Sequence, residues 1–136
     1  MLHTDQLKRN YFSVLERIEA ATRASGREPE DVKLIAVTKY VESDLIRELY
    51  ALGCRDFGES RPQVLWQKAE ELKDLEIRWH QIGHLQTNKV RRTIPLVSLL
   101  HAGDSIKLLE NVNEEAAKRG QTVDVLCEVN ISGDPS

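Results

Sequence analysis

The stretch KLIAVTKYVES, residues 33–43, decides the fold of this chain. Its uninterrupted apolar run ends at Val37 and predicts a buried strand. Thr38 and Lys39 follow directly, and Ser43 is the predicted N-cap of a helix. A buried strand that leads straight into a helix indicates an α/β protein, and it raises the question of why a lysine stands where the strand reaches the surface.

The same alternation of strand and helix continues to the end of the sequence. An amphipathic helix comes first, with Thr4 or Asp5 as its predicted cap and Gly26 at its end. The predicted strands are 33–38, 55–58, 76–83, 96–102 and 123–131, and the predicted helices between them are 44–52, 62–73, 87–94 and 105–120. This spacing implies parallel strands joined by helical crossovers.

Two architectures fit that alternation, an open doubly wound sheet and a βα barrel. No GxGxxG or GxxxxGK[ST] motif follows any predicted strand, which argues against dinucleotide and P-loop sites. The 136 residues fit a single α/β domain, residues 1–136. A complete barrel needs eight strands and typically ~250 residues, so we expect this domain to be part of a longer protein. Alone, its open sheet edge is expected to self-associate.

Composition narrows the classes of function. The net charge of −3 argues against general electrostatic binding of nucleic acid, although Lys89, Arg91 and Arg92 form a local basic cluster. No apolar run approaches the ~18 residues of a membrane-spanning helix, and the polar N-terminus is unlike a secretory signal, so a cytoplasmic protein is expected. Cys54 and Cys127 are expected to be reduced thiols rather than a disulfide framework.

Ligands in βα folds collect at the carboxyl ends of the strands. Lys39 stands at the first of these ends, where partial shelter from water would lower the pKa of its amine. A neutral amine can attack a carbonyl group and form a Schiff base. Position alone favours the simpler alternative, a surface lysine that merely ends the strand.

The later strand ends carry further polar side chains. Candidates for lining a pocket there are Ser60, His84, Asn88, His101 and Asn130. His80 and His84 are four residues apart, but in a strand this spacing separates them by some 13 Å at ~3.3 Å per residue. A hydrogen-bonded or packed histidine is therefore favoured over a metal ligand, and no metal site is predicted. Glu59 is expected to pair with a nearby arginine rather than to act as a general base.

Five segments also carry a family resemblance. They are LIAVTKY (34–40), DFGESRPQ (56–63), RWHQIGHLQTNK (78–89), LLHAGDS (99–105) and CEVNISGDPS (127–136). In order and spacing they resemble the pyridoxal phosphate homeostasis proteins, also called the proline synthase co-transcribed family. WHQIGHLQTNK is the most specific single match.

The resemblance implies a fold like the N-terminal domain of alanine racemase, a (β/α)8 barrel preceded by a helix, of which this chain holds about five strands. It also implies that Lys39 matches the lysine that binds pyridoxal 5′-phosphate as a reversible Schiff base. The implied function is intracellular cofactor homeostasis without dedicated catalysis, with cofactor-dependent apo-enzymes as possible recipients. The sequence departs from the family at Ser60, where an asparagine is usual. In similar proteins the phosphate site and an arginine facing the pyridine nitrogen come from the second half.

Two alternatives stay open at this stage. A racemase of the alanine racemase type would need a second base on the opposite face of the cofactor, which in that family is a tyrosine from a separate domain. Tyr11, Tyr40 and Tyr50 all lie early in this chain. The other alternative is an interaction module in which Lys39 has no chemical role.

Overall fold

The computed structural model describes residues 2–135, with side chains from residue 4 onward. Helix α1 (Leu2–Ala24) and a short 3₁₀ helix (Pro29–Asp31) precede five strands that alternate with four helices. The elements that follow are β1 (Ala36–Val37), α2 (Ser43–Ala51), β2 (Asp56–Glu59), α3 (Pro62–Glu71), β3 (Arg78–Gln81), α4 (Thr87–Thr93), β4 (Val97–Gly103), α5 (Ile106–Lys118) and β5 (Val125–Cys127). The predicted α/β class and its order of elements are confirmed.

All neighbouring strands pair in parallel, and the order in the sheet is β1-β2-β3-β4-β5. A doubly wound sheet reverses its strand order at a switch point, whereas a βα barrel adds its strands in sequence. The observed order is therefore consistent with part of a barrel, and the described strands contain no such switch point.

The helices cover one face of the sheet. One core cluster joins α2 and α3 to Phe57 and Trp79, and a second joins α4 and α5 to Leu100. Because side chains alternate along a strand, the opposite face carries Gly58, His80 and His101. We call this opposite side the inner face. Trp79 and His80, which are adjacent on β3, thus lie on different faces of the sheet.

Several predicted boundaries were wrong. Strands β1 and β5 are shorter than predicted because each lies at an edge and has a ladder on one side only. Helix α1 begins at Leu2, and the Thr4 hydroxyl donates to Glu48 instead of capping the helix. Ser43 is the first residue of α2 rather than its N-cap, which is Glu42, because the Ser43 hydroxyl donates to the Glu71 carboxylate.

Other local predictions are confirmed. Gly53 lies just past the C-cap of α2 with φ +111°, a conformation that side chains rarely adopt. Cys54 and Cys127 are free thiols. Within residues 2–135, none of the helices combines the length and apolar character needed to cross a bilayer.

Candidate functional site

Lys39 lies on a tight turn at the carboxyl end of β1. The Val41 amide donates to the Thr38 carbonyl at 3.1 Å, so Lys39 and Tyr40 are the two central residues of this turn. The Lys39 Nζ lies 5.2 Å from the centroid of the Tyr40 ring. Lys39 is exposed, so the expectation that it would be partly sheltered was wrong, because the turn projects it from the rim of the sheet.

The turn forms one wall of a groove. This groove has a volume of about 270 Å³ and is lined by Lys39, Tyr40, Glu59, Ser60, Arg61 and Val64. A second groove of about 330 Å³ adjoins the same turn on its α3 side. The structure therefore brings two predicted site residues together, Lys39 and Ser60, at the ends of two neighbouring strands.

A close approach of the chain fixes the position of Ser60. Its carbonyl accepts a hydrogen bond of 2.7 Å from the Gln81 side chain. A Cβ atom on Gly83 would lie only 2.5 Å from the same carbonyl oxygen, so residue 83, two positions past β3, must be glycine for the loop after β2 to lie here. Half-buried Ser60 is thus held by contacts from β3 and the residues just after it.

A second polar group lies at the ends of β4 and β5, away from Lys39. His84 Nδ1 lies 2.9 Å from Asp104 Oδ2, and both Asp104 and Asn130 line a wide cavity of about 560 Å³. The Asn130 side chain organises its own loop, since its Oδ1 accepts from the Gly133 amide at 2.9 Å. Asn88 lies exposed in the first turn of α4 and, within residues 2–135, lines neither the Lys39 groove nor this cavity.

His101 belongs to a third group, on the inner face. Its Nε2 lies 2.9 Å from His80 Nδ1, and His80 Nε2 lies 3.0 Å from Asp56 Oδ1. Because an ionised carboxylate only accepts hydrogen bonds, the Nε2 atom of His80 donates to Asp56. Arg78 completes the group with two bonds of 3.0 and 2.8 Å to the Asp56 carboxylate. His80 and His84 both lie within hydrogen-bond distance of a carboxylate, Asp56 and Asp104 respectively.

The surroundings shift the pKa values of this inner-face group. Burial alone would raise the pKa of Asp56, but the hydrogen bonds from Arg78 and His80 outweigh it and hold the pKa below its ordinary value of 3.8. Burial lowers the pKa of His101 below 6.5, and the neighbouring His80 lowers it further. The arrangement thus keeps Asp56 charged and His101 neutral near pH 7.

The residues that sequence reasoning missed lie beneath Lys39. Glu59 was expected to pair with an arginine, but its Oε1 accepts from Lys68 Nζ at 2.5 Å instead. Lys68 is only 6% exposed. A signal for this burial was present, because Lys68 falls three residues after Leu65 and four before Leu72, on the apolar face of α3.

Comparisons with known proteins confirm the resemblance. The chain is 42% identical over 121 residues to the pyridoxal phosphate homeostasis protein of Aquifex aeolicus, which covers 89% of this chain and 53% of the relative. No protein-family model matches this chain.

Two solved structures are also similar. PipY from Synechococcus elongatus, solved with PLP (pyridoxal phosphate) bound, gives a TM-score of 0.74 at 36% identity over 88% of this chain and 56% of that one. A protein of unknown function from Bifidobacterium adolescentis gives 0.87 at 37% identity over 98% of this chain and 58% of that one. The chain thus spans about half the length of the proteins it matches.

Proposed function

We propose that this protein binds pyridoxal 5′-phosphate through Lys39 as a reversible Schiff base and serves intracellular cofactor homeostasis. The observation that carries the proposal is the placement of the Lys39 amine on a rim turn, in one groove with Ser60. Similarity to a protein solved with PLP bound supports the same ligand. Lys39 is the only lysine that lines this groove among the residues described.

The residues around the amine fit a phosphorylated aromatic aldehyde. An aromatic residue, a hydroxyl-bearing residue and a cationic residue line the groove together with Lys39, namely Tyr40, Ser60 and Arg61. The cofactor supplies an aldehyde. In the proposed step the neutral Lys39 Nζ forms a C=N bond to the aldehyde carbon, and the carbonyl oxygen leaves as water with the two amine hydrogens. Hydrolysis reverses the step and regenerates the free amine, as a carrier requires.

None of the tyrosines in the described residues lies across from Lys39. A racemase of this type needs a second base opposite the lysine. Tyr11 and Tyr50 pack against the core cluster on the helix side of the sheet. Tyr40 lies beside Lys39 on the same turn rather than across from it. A racemisation assay with cofactor and several amino acids tests this alternative. Racemisation faster than that with free cofactor alone would support a racemase.

We further propose that the five strands are the first part of an alanine racemase-like (β/α)8 barrel, residues 1–136 forming one portion of that domain. The sequential parallel order supports this assignment. In such a barrel Ser60, His84, Asn88, His101 and Asn130 approach the mouth or interior from different strands. The recipients of the cofactor are then PLP-dependent apo-enzymes, which take it after hydrolysis of the Schiff base or by direct transfer.

A spectrum of the protein with pyridoxal phosphate tests the site. We expect a Schiff-base absorbance band in the parent protein, and borohydride should convert it to a stable adduct on the peptide that contains Lys39. Lys39→Ala should lose both the band and the adduct. Lys73→Ala is the matched control, since Lys73 is an exposed lysine paired with Glu70 just beyond α3.

Each outcome separates the alternatives. An unchanged band in Lys39→Ala would refute the assignment of Lys39. No band and no adduct in the parent protein would favour the interaction module, in which Lys39 has no chemical role.

A further inference from the structure

A buried ion pair lies directly behind the Lys39 turn. Lys68 Nζ donates to Glu59 Oε1 at 2.5 Å and to the Thr38 carbonyl at 2.7 Å. The Thr38 hydroxyl also donates to Glu59 Oε1, at 2.7 Å. All three side chains are buried, with exposed fractions of 6% for Lys68, 0% for Glu59 and 2% for Thr38.

Stability alone does not account for this pair. Removing two charges from water is costly, and well-packed apolar residues of similar volume are often as stabilising as a buried ion pair. The pair also leaves one buried oxygen, Glu59 Oε2, without a hydrogen-bond partner among the described residues. Apolar residues at positions 59 and 68 would therefore stabilise the core at least as well. The contacts to Thr38 point to a different role.

Thr38 is held at each of its polar atoms. Its amide donates to the Gly58 carbonyl at 3.0 Å, which extends the ladder between β1 and β2. Its carbonyl accepts from both the Val41 amide and Lys68, and its hydroxyl donates to Glu59. The peptide between Thr38 and Lys39 is therefore fixed in orientation, and with it the direction in which the Lys39 side chain leaves the backbone.

We propose that Lys68 and Glu59 are positioning residues for Lys39. This inference rests on the proposed function: both residues act through the Thr38 peptide, and neither takes part in the reaction with the aldehyde. Lys68 holds the carbonyl that closes the turn, and Glu59 holds both Lys68 and the Thr38 hydroxyl. The long side chain of Lys39 keeps its rotamer freedom. The fold can fix only the position and direction of the backbone from which that side chain starts. Fixing that origin raises the fraction of time that the amine spends within reach of a ligand in the groove.

The test compares a buried and an exposed ion pair. Lys68→Met/Glu59→Leu removes both charges and retains apolar bulk. Lys73→Met/Glu70→Leu removes the same two charge types from an exposed pair, whose side chains are 72% and 73% exposed. Thr38→Val is a milder variant that cuts only the hydroxyl link and leaves the Lys68–Glu59 pair intact.

The first measurement needs no cofactor. Amide hydrogen exchange of Val41 reports directly on the bond that closes the turn. We expect it to accelerate about tenfold in Lys68→Met/Glu59→Leu, less in Thr38→Val, and not at all in the exposed-pair control. Parent-like exchange at Val41 in both buried-site variants would overturn the proposal.

The second measurement is the rate of borohydride trapping of pyridoxal phosphate on Lys39. We expect about a tenfold slower rate in Lys68→Met/Glu59→Leu, with the same pH midpoint, since misplacing a reacting group lowers its rate without changing its ionisation. A shifted pH midpoint at an unchanged maximal rate would overturn positioning in favour of an electrostatic effect. Failure of the proposed function itself is distinguishable, because trapping would then be absent from the parent protein while the Val41 result would stand.

Discussion

Strand β2 carries two buried carboxylates three residues apart, and they lie on opposite faces of the sheet. Asp56, on the inner face, receives bonds from Arg78 and His80 and lies 3.7 Å from Lys33. Glu59, on the helix side, uses a single oxygen for both Lys68 and Thr38. Both residues are buried, yet the Asp56 carboxylate accepts hydrogen bonds on both oxygens, whereas the Glu59 carboxylate accepts on one oxygen only.

Buried carboxylates therefore have two different roles in this fold. Asp56 links side chains of β2 and β3 to the region before β1, so its charge holds neighbouring segments together. Glu59 instead secures the backbone of one rim turn through Thr38. We therefore expect variants of Asp56 to change stability and its pH dependence, and variants at the Glu59 pair to change the behaviour of Lys39 as well.

The largest effect is expected when one member of the helix-side pair is removed. Lys68→Met leaves Glu59 buried without its cation, and the free energy of unfolding should fall by about 3–5 kcal/mol. Lys68→Met/Glu59→Leu should recover most of that loss, because no uncompensated charge remains. Urea denaturation measures both. A double variant as unstable as the single one would show that packing at these positions, rather than the charge, sets the cost.

Asp56→Asn should have the next largest effect. The amide keeps the shape of the side chain but loses the charge that receives Arg78 and His80, so we expect a loss of about 1.5–3 kcal/mol in urea denaturation. Asp74→Asn is the matched control, since Asp74 also receives two bonds from one arginine, Arg47, but is exposed. There the loss should be clearly smaller, because water and salt screen an exposed pair. Equal losses at both sites would contradict the importance of burial.

Much of the fold could be predicted because it rests on local patterns. Apolar runs, glycine after helix α2 and the strand–helix alternation gave the class, the order of elements and the parallel sheet. The resemblance pointed to Lys39, and the rule that ligands gather at strand ends placed Ser60 beside it. These signals are carried by short stretches of chain, so they can be recognised before any tertiary contact is known.

The rest depends on contacts between distant residues. The Lys68–Glu59 pair joins a helix to a strand. Helical spacing places Lys68 on the apolar face of α3, but the sequence does not show which carboxylate it meets there. Side chains at strand ends were expected to form one rim, but they form separate groups around Lys39, Asp104 and Asp56. His101 separates from His84 because alternation turns His101 toward the inner face, where it meets His80.

The pH dependence of stability should separate the contributions of His101 and Asp56, which both belong to the inner-face group. The folded pKa of His101 lies below 6.5, so its contribution is complete above that value and is lost as pH falls through the folded pKa. Asp56 contributes above its ordinary value of 3.8 and loses that contribution at lower pH. His101→Gln should reduce the decline in stability below about pH 6.5 and leave the acid-side decline in place. An unchanged slope in both ranges would contradict this assignment.

The smallest loss of stability should come from Lys33→Met. This variant tests which neighbours keep Asp56 in its charged form. Lys33 Nζ lies 3.7 Å from Asp56 Oδ1, beyond hydrogen-bond distance, and its side chain is 57% exposed. An exposed ion pair of this kind contributes about 0.2–1 kcal/mol at low salt, and screening should abolish the difference from the parent near 1 M salt. Urea denaturation at both salt concentrations measures it. A loss as large as that of Asp56→Asn would mean that long-range attraction, rather than the bonds from Arg78 and His80, stabilises the inner-face carboxylate.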